Sequence, residues 1–273
     1  MTRIAVIDFE TTGLSPAMGD RATEVAIVML DGGEVVGRFQ SLMNAGVHIS
    51  PFIESFTGIS NAMVAAAPPA AEVMAAASRF VGDAPMVAHN ASFDRRYWQA
   101  ELARAGLGAA QPFACTVLLS RRLYPEARSH SLGAMAAHHS LPSAGRAHRA
   151  LADAEVAAAL LLRIQADLCE RFGLLQAHHE LLMKVQSCQR HALASAVKRF
   201  VMADNGLMKM QRVVVKTSLH PKIAGASPDL QFWLSQPVQA RLAAVEELRR
   251  QQWGAHAERR LQRVCRITSL KPG

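Results

Sequence analysis

The stretch RIAVIDFETTGL, from Arg3 to Leu14, decides how this chain is to be read. Ile4 to Ile7 are apolar at every position, which predicts a strand buried on both faces at the centre of a sheet. That strand ends in two carboxylates, Asp8 and Glu10. Side chains alternate along a strand with period two, so both acids point to one face at one end. Their mutual repulsion calls for a cation, and a hard divalent ion with oxygen ligands is the natural partner. Two such acids alone would read as solvated surface. Here a core strand delivers them into Thr11-Thr12-Gly13, where a glycine lets backbone approach a ligand closely.

The chain has 273 residues and is 50% hydrophobic, enough for one large globular domain with an appendage and incompatible with a disordered protein. Cys115, Cys169, Cys188 and Cys265 show no C-x-x-C spacing, so neither a zinc site nor a disulfide framework is expected, and a reducing, cytoplasmic setting is. The Ala-rich stretch from Ala62 to Ala77 is interrupted by Pro68, Pro69 and Glu72, and no apolar run reaches the roughly 18 residues of a membrane span. The first residues read as a core strand rather than a signal peptide.

The net charge of +8 is unevenly distributed. Residues 1–175 carry 14 Arg against 16 Asp plus Glu, whereas residues 176–273 carry 16 Lys plus Arg against 6 acids and include all six lysines. The chain therefore reads as a nearly neutral domain, 1–175, followed by a basic helical region, 176–273, suited to a nucleic acid or a partner protein. A solvated basic helix face is the alternative.

Thr23 to Leu30 and Glu34 to Met43 read as two strands joined by a hairpin at Asp31-Gly32-Gly33. Glu72 to Val81 reads as a helix, Met86 to Ala88 as a short strand, and Ser92 to Ala105 as a helix capped by Ser92. A strand near Phe113 to Cys115 precedes another helix, and Ala150 to Phe172 forms a long one ended by Gly173. Beyond Leu175 the apolar spacing predicts one helix over Ala177 to Ala203, a Gly-, Pro- and Ser-rich loop around Pro221 to Pro228, and a second helix from Gln236 to Val264. Their apolar stripes could pair as a helical hairpin.

Two more segments carry candidate chemistry. In VAHNASFD, Val87 to Asp94, a short strand leads through His89 and Asn90 to a helix holding Asp94 near its start. Catalytic groups gather in α/β sheets where strands end and helices begin, so Asp94 could join Asp8 and Glu10; alone, it would be an acid favoured by the helix dipole. In AHRALADA, Ala147 to Ala154, His148 precedes Asp153 by five residues. On one regular helix the two would diverge by about 140°. They converge only if His148 stands on the loop before the helix while Asp153 projects from its second turn, where His148 could serve as a general base. His130, His138 and His139 read as surface or packing residues.

DFETTGL, HNASFD and HRALAD, in that order, resemble the three exonuclease motifs of the DEDDh family and are similar to the epsilon proofreading subunit of bacterial DNA polymerase III. The resemblance spans roughly residues 3–170. It implies an RNase H-like fold with a mixed five-stranded sheet flanked by helices, four metal-binding acids at Asp8, Glu10, Asp94 and Asp153, and a catalytic His148. A His rather than a Tyr at that position marks the h branch. It also implies two Mg²⁺ or Mn²⁺ ions, with Asp8 bridging, Glu10 and Asp153 completing one shell, and Asp94 supporting the other. Thr11, Gly13 and Leu14 would hold the terminal nucleotide, His89, Asn90 and Phe93 would line its phosphate or sugar, and Phe56-Thr57-Gly58-Ile59 resembles a substrate-side segment. Cys115 stands where many relatives have an acid. The expected activity is removal of nucleoside 5′-monophosphates from frayed or single-stranded DNA 3′ ends in proofreading or repair, with or without a polymerase partner. An RNA-trimming exonuclease and a polymerase or nucleic-acid docking module are the alternatives.

Overall fold

The computed structural model describes residues 3–142 and 148–207. Five strands, β1 (Ile4–Thr11), β2 (Ala22–Asp31), β3 (Glu34–Leu42), β4 (Met86–Ala88) and β5 (Phe113–Cys115), form one sheet in the order β3-β2-β1-β4-β5. β1, β2 and β3 are an antiparallel meander, while β4 and β5 run parallel to β1. The β2–β3 turn places Gly32 and Gly33 at φ 61° and 93°, backbone that glycine adopts without steric cost and that matches the strands' twist. Around the sheet lie α1 (Pro51–Thr57), α2 (Asn61–Ala65), α3 (Ala70–Val81), α4 (Ala91–Arg104), α5 (Thr116–Leu123), α6 (Leu132–His138), α7 (Ala150–Phe172), α8 (His179–Ser187) and α9 (Leu193–Leu207). This is the expected mixed, helix-flanked RNase H-like sheet.

The period-two alternation of β1 separates two cores. Ala5, Ile7 and Phe9 pack with Val25, Ile27 and Met29 against Val73 and Met74 of α3 and Trp98 and Leu102 of α4. Ile4 and Val6 pack with Ala26 and Val28 against Leu160, Leu161 and Ile164 of α7. Asp8 and Glu10 continue the even-numbered series, so the strand that builds the core also carries both acids to the α7 face. Leu181, Leu182 and Val185 of α8 and Val197 of α9 are buried in the same cluster. Among the described residues no helix is long and apolar enough to cross a membrane.

Several elements differ from the expected ones. The single helix over 177–203 is two, α8 and α9, because Cys188 is extended (φ −78°, ψ 160°) and its carbonyl accepts from Arg122 Nε at 2.9 Å. On the same side, Gln186 covers the edge of β5: its Oε1 accepts from Cys115 N at 2.7 Å and its Nε2 donates to Phe113 O at 3.2 Å. α4 starts one residue before Ser92, capped by left-handed Asn90 (φ 70°, ψ 47°) rather than by Ser92. Asp153 lies in the first turn of α7, not the second. The loop at 221–228, the helix at 236–264 and the hairpin that helix was to complete lie outside the described residues.

Candidate active site

The end of β1 gathers the acids. One carboxylate oxygen from each of Asp8, Glu10 and Asp153 lies within 4.8 Å of the other two. Asp94, buried in the first turn of α4, is tied to the same strand by accepting from Phe9 N at 3.2 Å. His148 stands on the segment before α7, and its backbone N donates to Asp153 Oδ2 at 3.2 Å. The structure thus brings Asp8, Glu10 and Asp153 together, bonds Asp94 to the strand that carries the first two, and sets His148 against Asp153 through its backbone.

Their electrostatics set them apart from the other buried acids. Glu24 is paired with Arg149, Glu101 with Arg21 and Arg104, and Asp167 with Arg163. Among the described residues, Asp8, Glu10, Asp94 and Asp153 form no ion pair with Lys or Arg. Burial first, then Asp94, Glu10 and Asp153, raise the Asp8 carboxyl well above the usual carboxylate range. Burial and Asp153 push Glu10 up to about 8, with Arg149 opposing, and burial pushes Asp94 up to about 8. Asp153 is also raised, chiefly by burial. An unpaired cluster of hard oxygen donors fits a Mg²⁺- or Mn²⁺-type cation and offers no thiolate to a softer one.

A cleft of about 550 Å³ opens over these acids, walled by residues that include Thr11, Gly13, Leu14, Phe52, Phe56 and Phe93. At Gly13 an added Cβ would overlap the Asp20 carboxylate and push it from its bond with Ser15 N, which donates to it at 2.9 Å. The Gly13 carbonyl accepts from Thr11 Oγ1 at 2.6 Å and from the Tyr97 hydroxyl at 2.9 Å, which ties the turn to α4. Leu14, Phe52 and Phe56 are exposed, so the rim is apolar above an anionic floor. Thr57 also lines the cleft, but its hydroxyl donates to Ile53 O at 2.9 Å and accepts from Ile59 N at 3.1 Å, so it holds the end of α1.

His89 and Asn90 do not join these walls. His89 Nδ1 lies 2.9 Å from Thr116 Oγ1, and burial pushes its pKa down to about 4. Asn90 serves as the exposed cap of α4. Conversely, Phe52 is a wall residue that the sequence did not point to. Its helix was foreshadowed only by Ser50-Pro51, a cap residue followed by a proline at the first helical position.

A mixed, helix-flanked sheet that ends in three converging acids, with Asp94 and His148 next to them, could hold a divalent cation. The chain belongs to the exonuclease family, whose model matches residues 5–161. It is 37% identical over 167 residues to the PolC-type DNA polymerase III of Bacillus cereus, and 36% identical over 166 residues to the 3′-5′ exonuclease DinG of Bacillus subtilis. These matches cover 61% and 59% of this chain but only 12% and 17% of those proteins, so it spans a small part of each. Among solved structures, exonuclease X in complex with 5′ overhanging duplex DNA aligns with TM-score 0.54 and 30% identity over 67% of this chain and 99% of that one. The nuclease domain of 3′hExo, a DEDDh family member bound to rAMP, shares the fold at TM-score 0.53 and 20% identity, over 62% of this chain and 94% of that one.

Proposed function

We propose that this chain is a divalent-metal-dependent 3′-to-5′ exonuclease that acts on single-stranded or frayed DNA 3′ ends and releases nucleoside 5′-monophosphates. The observation that carries the reading is the convergence of Asp8, Glu10 and Asp153 oxygens, with Asp94 beside them, beneath an apolar cleft. Asp8, Glu10, Asp153 and Asp94 would hold two Mg²⁺ or Mn²⁺ ions. When bound, such ions supply the positive charge that lets an anionic phosphodiester approach, acidify the attacking water and stabilise the departing 3′ oxygen. His148 accepts the proton of the attacking water as its oxygen bonds to phosphorus and the bond to the 3′ oxygen breaks. Thr11, Gly13 and Leu14 hold the terminal nucleotide, with Phe93 and Phe56 beside its sugar and base; His89 and Asn90 support the α4 start from outside the cleft.

The cleft favours a strand end over a paired one. In an apolar rim of Leu14, Phe52 and Phe56, the two phenylalanine rings offer stacking faces, which bind unpaired bases with little regard to identity. The choice of DNA follows the DNA-bound exonuclease X and the polymerase relatives. We place the enzyme in proofreading or repair in the cytoplasm, alone or with a polymerase, with 1–175 as the nuclease domain and 176–273 as a basic auxiliary region whose first helices, α8 and α9, pack into the nuclease core. Digestion of matched, end-labelled DNA and RNA oligonucleotides, with and without Mg²⁺ or Mn²⁺, tests this. Stepwise shortening of DNA from the 3′ end only with metal is expected. A strong preference for RNA overturns the substrate choice, and binding without hydrolysis in either metal reduces the protein to a docking module.

A further inference from the structure

The Glu24–Arg149 pair has no part in the chemistry above, yet its geometry reaches into it. Glu24 lies opposite Glu10 in the β1–β2 register and is fully buried, so it adds a fifth acid beside the other four. A buried apolar residue would serve packing at least as well. Instead its carboxylate is saturated with donors. Arg149 Nε donates at 3.1 Å and Nη2 at 2.8 Å, Gln40 Nε2 at 2.8 Å, and Ala150 N at 3.2 Å. Three of these four bonds come from the two residues that open α7.

Arg149 caps α7 by position, but its own side chain makes no capping bond to the helix. Glu24 supplies that function from the neighbouring strand, taking the first helical N–H and placing negative charge at the positive end of the helix. The residue just before is His148, held at φ 62°. A histidine there is in the left-handed region, a conformation that persists only where its surroundings enforce it. The enforcement is visible: His148 N is bonded to Asp153, and the next two residues are bonded to Glu24.

We infer that Arg149 is a positioning residue, whose clamp on Glu24 fixes the turn that presents His148, and with it the start of the helix that carries Asp153, to the acids of β1. The inference rests on the nuclease reading of the site for its consequence, though not for its geometry. Proton transfer depends on ring placement, and displacement of a catalytic group by 1 Å can cost about 10²-fold in rate.

The test compares the full chain with Glu24→Gln/Arg149→Met, a double variant that removes the clamp without leaving a buried charge unpaired, and with Arg149→Lys. The first readout is the ¹H–¹⁵N spectrum of the His148 ring in metal-free protein without oligonucleotide, assigned by its loss in His148→Ala. Expected are displaced His148 resonances in the double variant and a smaller displacement in Arg149→Lys, which keeps the charge without the paired donors. The second readout is single-stranded DNA hydrolysis, where kcat should fall about 10–100-fold with KM within about twofold, and Arg149→Lys should recover part of the loss. Unchanged His148 resonances in the double variant overturn the inference, whatever happens to kcat. Should the double variant fail to fold, the same spectrum of Arg149→Lys decides. A parent protein without hydrolysis on any substrate sinks the nuclease reading instead and leaves the spectroscopic comparison standing.

Discussion

The Phe56 ring lies against the His148 imidazole, with centroids 3.9 Å apart and planes inclined at 33°. Phe52 stacks behind Phe56 at 6.2 Å and 7°. His148 and the apolar rim therefore share one surface of the cleft; on the proposed function, a nucleotide base arriving there would meet Phe56 before the acids.

Phe56→Ala should therefore affect both binding and turnover, whereas Phe52→Ala, one ring further out, should affect mainly binding. Base–aromatic stacking is worth about 1–3 kcal/mol per base, so KM for a single-stranded oligonucleotide should rise about 5-fold or more in Phe56→Ala. Steady-state kinetics on the two variants checks this, and equal kcat values in parent and Phe56→Ala would separate the ring from the histidine it touches.

His148→Ala should lower kcat by about 10²–10⁴-fold, the usual contribution of a general base. The His148 backbone bond to Asp153 survives the substitution. The variant's thermal midpoint should match the parent's, which differential scanning calorimetry reads alongside the rate.

The acids predict a pH dependence of the metal-free protein with a definite sign. Burial, joined by mutual repulsion at Asp8 and Glu10, raises the proton affinity of Asp8, Glu10, Asp94 and Asp153 in the folded state, with Glu10 and Asp94 pushed up to about 8. A group whose pKa is raised by folding stabilises below its unfolded pKa and loses that contribution as pH rises through its folded one. Glu24 has the opposite sign: burial raises its proton affinity, but the bonds from Arg149, Gln40 and Ala150 outweigh it, so its contribution holds above its unfolded pKa. Chelator-treated protein should melt at progressively lower temperature between about pH 4.5 and pH 8, and millimolar Mg²⁺ or Mn²⁺ should flatten the profile. Asp8→Asn removes one of the repelling charges, so at pH 8 it should melt roughly 2–4 °C above the chelator-treated parent for each ~1 kcal/mol relieved, while abolishing turnover.

Residues 208–273 carry 12 Lys plus Arg against 4 Asp plus Glu. Deleting them spares the buried α8 and α9 residues Leu181, Leu182, Val185 and Val197. If this segment contacts nucleic acid, its loss should make the salt dependence of DNA affinity shallower, by about 0.7 in the log–log slope for each single-strand phosphate contact removed. An unchanged slope assigns the segment to another partner.

Legibility in the sequence followed the range of the interactions. Asp8 and Glu10 share a face because of strand periodicity, a local property, and Asp94 follows from a strand passing directly into a helix. His148 and Asp153 could be placed because a five-residue separation left only a loop–helix junction that brings them together. The Glu24–Arg149 clamp spans 125 residues, and Glu24 looks in sequence like an ordinary acid in a strand. The break at Cys188 was hidden for the same reason: apolar spacing continues on both sides, and the bond that holds the break comes from Arg122, 66 residues away. His89 resembled a wall residue by its motif, and only the fold shows its ring turned to Thr116.

The most direct test is calorimetric titration of Mn²⁺ into chelator-treated protein, beside Asp8→Asn and Asp153→Asn. Saturable uptake of two ions by the parent, weakened or lost in both variants, is the predicted result. No uptake by the parent, or uptake that neither substitution changes, contradicts the assignment of these acids as the metal site.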